Sequence, residues 1–367
     1  MTLEDFFKRI EAQYKQELPF VVYRKPNKTE VSGLLQSDDE LFFTEAFTEK
    51  GFVFSPFDDN EKTVLIPLEV SEKINSSIVT SGAVETSHHE NKVDIESKNF
   101  HINLVKKGVE AINNQQFKKV VLSRKETVQL EEHNPLSILN NYKSAFVYCW
   151  YHPKTGLWLG ATPETLLKIE GNRFSIMALA GTQDYNGTLD VVWQNKEIQE
   201  QQYVTDFILE SLKPTVESVK VSETNTVKAG NLLHLKTMIS AQLKSNSNLE
   251  SIISSLHPTP AVCGLPKQAA KDFILKNENY NRGFYTGFLG ELNLETQWAP
   301  RSGKRNIENR AYAITKTSTQ LYVNLRCMQL EGKNASVYVG GGITESSNSE
   351  KEWAETVSKS LVIKSIL

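Results

Sequence analysis

Short apolar, β-branched and aromatic runs, separated by brief polar connections, recur along this chain and leave few architectures open to it. They stand at Phe20–Tyr23, Gly51–Phe54, Thr63–Pro67, Lys118–Arg124, Ala145–Tyr151, Leu157–Gly160, Leu166–Ile169 and Arg173–Leu179. Further runs follow at 215–226, 231–243, 284–293, 308–315, 320–330 and 335–339. Connections this short join antiparallel neighbours, since a parallel pair needs a long crossover. Helical periodicity is confined to 3–12, 98–115, 135–142, 195–212, 247–256, 267–275 and 350–363. The pattern predicts sheet packed on sheet with helices outside. A parallel nucleotide-binding sheet is disfavoured: Gly340–Gly342 does not supply the dinucleotide fingerprint, and the chain has no GxxxxGK[ST] sequence. Residues 71–97, rich in Ser, Glu, His and Lys, read as a flexible surface connection and the best candidate for an internal boundary.

Composition narrows the function classes. The 39% hydrophobic content, with five Trp, 12 Tyr and 17 Phe, is ample for a large core. A net charge of -3 without a dense basic cluster argues against nucleic acid as a partner. Three scattered cysteines supply neither a disulfide framework nor a zinc site. The charged N-terminus has no apolar signal segment and no run reaches the length of a membrane span, so a cytoplasmic protein is expected.

Chemistry concentrates in a few places. Gly340-Gly341-Gly342 reads as a turn that admits a ligand close to backbone, before a helix opened by a Ser349/Glu352 capping box. Glu352 and Glu355 share a face of that helix at i,i+3, and Lys359 is i+4 from Glu355. Glu197 and Glu200 repeat the spacing on a second helix. Four converging carboxylates would repel one another without a cation, and Mg2+ suits oxygen ligands and retained waters. Two solvated helix faces explain the same spacing. Lys119 is either a snorkelling surface group or, if enclosed, a base whose pKa burial has lowered. Glu164 in Thr162-Pro163-Glu164 is either an exposed turn residue or a general acid. Gly181 could offer its backbone N–H to a carboxylate. Arg326, expected inside a buried strand, needs an anion, either an internal Glu or a ligand carboxylate. His234 is a ligand donor or a hydrogen-bonded core histidine. These groups support either a Mg2+-dependent enzyme acting on a small polyanion or a nonenzymatic binding or scaffold protein.

Taken together, KVVLSR at 119–124, TPE at 162–164, LAGT at 179–182, KEIQEQ at 196–201 and LHPTPAVCGLP at 256–266 resemble the chorismate-utilising enzymes. YTGFLG at 285–290, LRC at 325–327, GGGI at 340–343 and EWAETVSK at 352–359 extend the resemblance, which is greatest to the isochorismate synthases. It covers roughly residues 98–365 and leaves 1–97 as a divergent N-terminal part of a single domain. It implies an α/β (α+β) fold of two large antiparallel β-sheets packed together and flanked by helices, a monomer binding chorismate and Mg2+. Lys119 would be the base activating water for attack at C2, and Glu164 the acid protonating the departing C4 hydroxyl. Glu200 and Glu355 would hold the metal, with Glu197 and Glu352 acting through water. Arg326, Gly340 and Gly341 would bind the pyruvyl carboxylate, Lys359 would assist beside the metal, and Gly181, Thr182, His234 and Tyr285 would complete the substrate site. HPTPAVCGLPK at 257–267 departs from the amine-transferring relatives and favours water as nucleophile. Gln201 replaces a histidine common in relatives. Salicylate synthases, which go on to eliminate pyruvate, share nearly the same catalytic set. The product could feed either menaquinone or a siderophore.

Overall fold

The computed structural model describes residues 1–78, 94–130, 134–229, 232–298 and 314–364. Helix α1 (Leu3–Lys15) precedes strands β1 (Phe20–Arg24), β2 (Glu30–Gln36), β3 (Phe42–Thr44), β4 (Gly51–Ser55), β5 (Thr63–Pro67) and β6 (Ser71–Ser77). Helix α2 (Ile95–Asn113) leads into β7 (Lys119–Gln129), β8 (Phe146–His152), β9 (Gly156–Thr162), β10 (Thr165–Glu170) and β11 (Arg173–Asp184). Then come α3 (Asn195–Leu212), β12 (Val216–Val221), β13 (Asn225–Ala229) and β14 (Leu232–Leu243). These are followed by α4 (Leu249–Leu256), β15 (Gly264–Leu265) and α5 (Lys267–Asn277). The chain closes with β16 (Phe288–Trp298), β17 (Ile314–Val323), β18 (Cys327–Glu331), β19 (Asn334–Ile343) and α6 (Ser349–Lys364).

Among the described residues the strands form two sheets. One has nine strands in the order β15-β7-β19-β18-β9-β8-β1-β2-β6; the other has ten, β12-β14-β11-β10-β17-β16-β4-β5-β3, with β13 also on β14. Every pairing is antiparallel, as the short connections predict. Strands from the first 78 residues enter both sheets: β1 pairs with β8, and β4 with β16.

Strand β1 explains why its sequence is continuously apolar. Val21 and Tyr23 face the aromatic layer between the sheets, while Phe20 and Val22 join the core on the outer face beneath α1. A strand buried on both sides shows no polar alternation. Between the sheets Tyr23 and Phe52 stand 5.1 Å apart, Phe54 and Trp150 5.0 Å, and Phe146 and Tyr322 4.0 Å. Helices α3 and α4 cover the outer face of the ten-stranded sheet, and α2 and α5 pack on β7. Gly108 lets α2 settle there, since a Cβ on it would stand 3.0 Å from the Leu122 side chain. No helix among the described residues is long and apolar enough to cross a membrane.

Several expectations need correction. Residues 71–77, expected in a flexible connection, form β6 on β2, and α2 begins at Ile95; the middle of that stretch, 79–93, lies outside the described residues, as do 308–313. The helix expected at 135–142 is a single 3-10 segment, Pro135–Asn140. The strand expected over 215–226 is two strands, both on β14, and that over 320–330 is β17 and β18 in different sheets. Gly340–Gly342 is no turn: all three glycines lie within β19, paired to Ser123, Leu122 and Val121 of β7. The cap of α6 is Asn348, whose side chain accepts from the backbone N–H of Glu350 and Lys351, so Glu352 is released from a capping role.

Candidate active site

The site forms where the chain twice passes from one sheet to the other. Pro163 and Glu164 link β9 of the nine-stranded sheet to β10 of the ten-stranded one, and Asn324–Arg326 make the reverse passage from β17 to β18. The crossings run side by side: Val323 N–H donates to Glu164 C=O at 3.1 Å, and Ala161 N–H to Arg326 C=O at 3.1 Å. Arg326 therefore lies outside any strand, with φ +49°. These passages open a cleft with a cavity volume of about 110 Å³, lined also by Gly181, Thr182, His234, Tyr285, Gly340–Gly342, Glu200, Glu355 and Lys359.

Glu164 is buried, and loss of hydration pushes its pKa up to about 8 against an opposing pull from Lys119. A carboxyl so placed holds its proton at neutral pH. Lys119, at the start of β7, is fully buried, whereas Lys118 is exposed. The Lys119 ammonium stands 2.9 Å from Glu200 Oε1, behind the cleft wall. Burial raises the pKa of Glu200, but Lys119 and Lys196 outweigh it and hold the group below its usual value.

A register shift in the β11–β14 ladder falls between Ala180 and Gln183, with Gly181 at φ +71°. This bulge turns the Gly181 carbonyl to His234 Nδ1 at 2.9 Å, and Arg326 Nη2 lies 3.0 Å from His234 Nε2. Burial, then the neighbouring guanidinium, push the His234 pKa down to about 3. The imidazole is thus neutral, donating through Nδ1 and accepting from Arg326 through Nε2. Among the described residues no carboxylate forms an ion pair with Arg326, and desolvation lowers its pKa to about 10.

Gly340 and Gly342 owe their identity to contact, not to a positive φ. A Cβ at Gly342 would stand 2.2 Å from Glu200 Oε1, and one at Gly340 would stand 3.0 Å from the Tyr285 hydroxyl. A Cβ at Gly341 would stand 3.6 Å from Glu352 Oε2 and 3.7 Å from Glu355 Oε1, ordinary contact distances, so two carboxylates of α6 converge beside it. Lys359 bridges Glu355, at 2.8 Å, and the Gly340 carbonyl, also at 2.8 Å. Glu197 is set apart: its Oε2 accepts from the Gln194 backbone N–H at 2.9 Å and caps α3. Gln201, buried, donates to the Ala178 carbonyl and to Thr237.

Sequence reasoning passed over Lys196, whose ammonium crosses from α3 to Glu352 Oε1 at 2.6 Å. A basic residue one position before a carboxylate pair was the available signal. It also missed Ala261, Val262, Thr286 and Tyr338 in the cleft wall, which carry no titratable signature in that pocket beyond the tyrosine hydroxyl.

Carboxylate oxygens suit a hard cation: Glu352 and Glu355 converge beside Gly341, Glu200 stands against the neighbouring Gly342, and among the described residues Glu352 Oε2 is buried without a hydrogen-bond partner. Among the described residues, however, no three His, Cys, Asp or Glu side chains gather round one point. Each carboxylate is held by a lysine instead.

Comparison with known proteins places this chain in a family. A family model described as chorismate binding enzyme matches residues 53–300, and a second so described matches 312–365. The chain is 28% identical over 211 residues to isochorismate synthase DhbC of Bacillus subtilis, covering 55% of this chain and 48% of the relative. It is 28% identical over 280 residues to isochorismate synthase MenF of Pasteurella multocida, covering 72% and 60%. The chain thus spans about half the length of the curated relatives it matches. Its fold follows a crystal structure described as a putative 2,3-dihydroxybenzoate-specific isochorismate synthase from Bacillus anthracis. The TM-score is 0.75 at 20% identity, over 97% of this chain and 98% of that one. The match over most of its length shows that this chain belongs to the chorismate-binding enzymes.

Proposed function

We propose that the protein is an isochorismate synthase, interconverting chorismate and isochorismate. The observation that carries this reading is a buried carboxyl that keeps its proton to about pH 8, in one cleft with a guanidinium that has no carboxylate partner among the described residues. The names of the relatives support the same reaction. Arg326, with the backbone around Gly340 and Gly341, receives the pyruvyl carboxylate, and the planar guanidinium suits it. His234, held neutral, fixes the orientation of that guanidinium. Gly181, Thr182 and Tyr285 line the ring, and Lys359 assists at its carboxylate.

Water then adds at C2. Lys119 acts as the base and takes the proton from the attacking water as its oxygen bonds to C2. The ring double bonds shift, the C4–O bond breaks, and Glu164 gives its proton to the leaving oxygen, which departs as water. The net change is isomerisation, and both groups return to their starting states by exchange with solvent. Glu200 and Glu355 would hold Mg2+, with Glu352 reaching it through water; Glu197, engaged as a helix cap, would have to leave Gln194 to take part. When bound, Mg2+ would offset the charge of the ring carboxylate.

The test mixes purified protein, chorismate and Mg2+ and separates the products by chromatography. Isochorismate without ammonia is the expected outcome. Salicylate with pyruvate would make the protein a salicylate synthase, and unchanged chorismate would overturn the reading.

A further inference from the structure

Three lysines stand at or behind the cleft wall, each against one carboxylate: Lys119 on Glu200 at 2.9 Å, Lys196 on Glu352 at 2.6 Å, and Lys359 on Glu355 at 2.8 Å. Two of the three lysines have places in the reaction above. Lys196 has none, yet it is the one that ties the two carboxylate helices together, reaching from the first turn of α3 to the first turn of α6. Its partner Glu352 is almost fully buried, with a side chain 3% exposed, while Lys196 itself is 22% exposed and can swing toward solvent. Among the described residues the second oxygen of Glu352 has no hydrogen-bond partner and lies beside Gly341, as does Glu355 Oε1.

We infer that Lys196 is an internal counter-cation that neutralises Glu352 in the metal-free protein and competes with the divalent cation, so that it sets the Mg2+ affinity of the cleft. This rests on the cation site proposed above. The physics is a balance of two buried-charge costs. Without Lys196, Glu352 is a buried carboxylate lacking a partner, which destabilises the metal-free state. A divalent cation restores the missing positive charge, so metal binding recovers that cost, and it no longer meets the repulsion of a neighbouring ammonium. With Lys196 present the metal must displace or tolerate a cation already in place.

The experiment is a calorimetric titration of the full chain with MgCl2, without substrate, alongside thermal unfolding with and without Mg2+. Lys196→Gln is expected to bind Mg2+ about tenfold more tightly than the parent, to melt lower than the parent in chelator, and to gain more from Mg2+. Lys196→Arg keeps the charge and should stay near the parent in both measurements. In the double variant Lys196→Gln/Glu352→Gln both charges are gone. Its metal-free stability should return toward the parent and the gain in affinity should disappear, and this arm holds even if the single variant folds poorly. Unchanged or weaker Mg2+ binding by Lys196→Gln, with the parent binding normally, overturns the role of Lys196 and leaves the cation site standing. A parent chain that takes up no Mg2+ removes both.

Discussion

Two buried charge networks lie within this fold, and they are built in opposite ways. Behind the cleft, Arg282 and Glu278 form an ion pair with side chains 1% and 2% exposed. A guanidinium has five N–H donors, and those of Arg282 go to both oxygens of Glu278, to the Val121 and Val262 carbonyls and to the Thr286 hydroxyl. Glu278 also accepts from the backbone N–H and hydroxyl of Ser123. Val121, Val262 and Thr286 all line the cleft, so this saturated pair fixes three segments of its wall. On the cleft floor the accounts are left open. Among the described residues Glu352 Oε2 has no hydrogen-bond partner, Glu164 is buried with its proton, and Arg326 meets the His234 imidazole but no carboxylate. Charges whose hydrogen bonds are complete build the container; charges left short of partners are the ones a ligand can complete.

Breaking either network should give a different kind of loss. Lys119→Ala and Glu164→Gln are each expected to lower turnover by about 10²–10⁴-fold, with the cooperative unfolding transition retained; near-normal rates would remove their assigned roles. Arg282→Met is expected to lower stability by about 3–5 kcal/mol, because it strands Glu278 in the interior, and urea unfolding would register this as an earlier midpoint. Were it to lower activity at unchanged stability, the saturated pair would not be a structural device. Gly342→Ala tests the contact between β19 and the floor. Its Cβ would displace the mobile end of Glu200, so activity should fall about 100-fold with little change in melting temperature, while Gly341→Ala, with its nearest atoms at 3.6 Å, should keep its fold and disturb only ligand binding.

The smallest effect is in pH. Forward turnover should decline as pH rises through about 8, where Glu164 loses its proton, and the Glu164→Gln variant should lose that dependence. The linkage has a definite sign. The folded-state pKa of Glu164 lies above its usual 4.5, so the stability held with the proton in place is fully present below that value and is lost as pH climbs through about 8. Glu164→Gln should therefore outlast the parent in thermal unfolding above pH 8 and match it more closely near pH 5. Parallel stability profiles for the two proteins would show that the carboxyl is not buried as described.

The regular elements were legible because their signals are local. Helix α3 falls on 195–212, as its apolar stripe predicts, and β5 on Thr63–Pro67. The departures come where a distant partner intervenes. Thr162-Pro163-Glu164 and Leu325-Arg326-Cys327 read as a turn and a strand interior, yet both are passages between sheets, visible only when the pairing of β9 with β18 and β10 with β17 is known. The glycine triplet looked like a turn because glycine favours turns, whereas here the close approach of Glu200 and Tyr285 excludes a side chain from an extended strand. Ser349 and Glu352 matched a capping box, but Asn348 caps the helix and Glu352 turns inward to Lys196.

By itself the sequence determined the strand-rich, antiparallel architecture, the two carboxylate helices and the family resemblance, since periodicity, turn chemistry and motif order are carried by neighbours along the chain. Only the tertiary structure decided which lysine meets which carboxylate, which carboxyl keeps its proton and which guanidinium lacks an anion. Those properties depend on burial and on charges brought together from α3, α6, β7 and the two sheet crossings, which no local stretch of sequence contains.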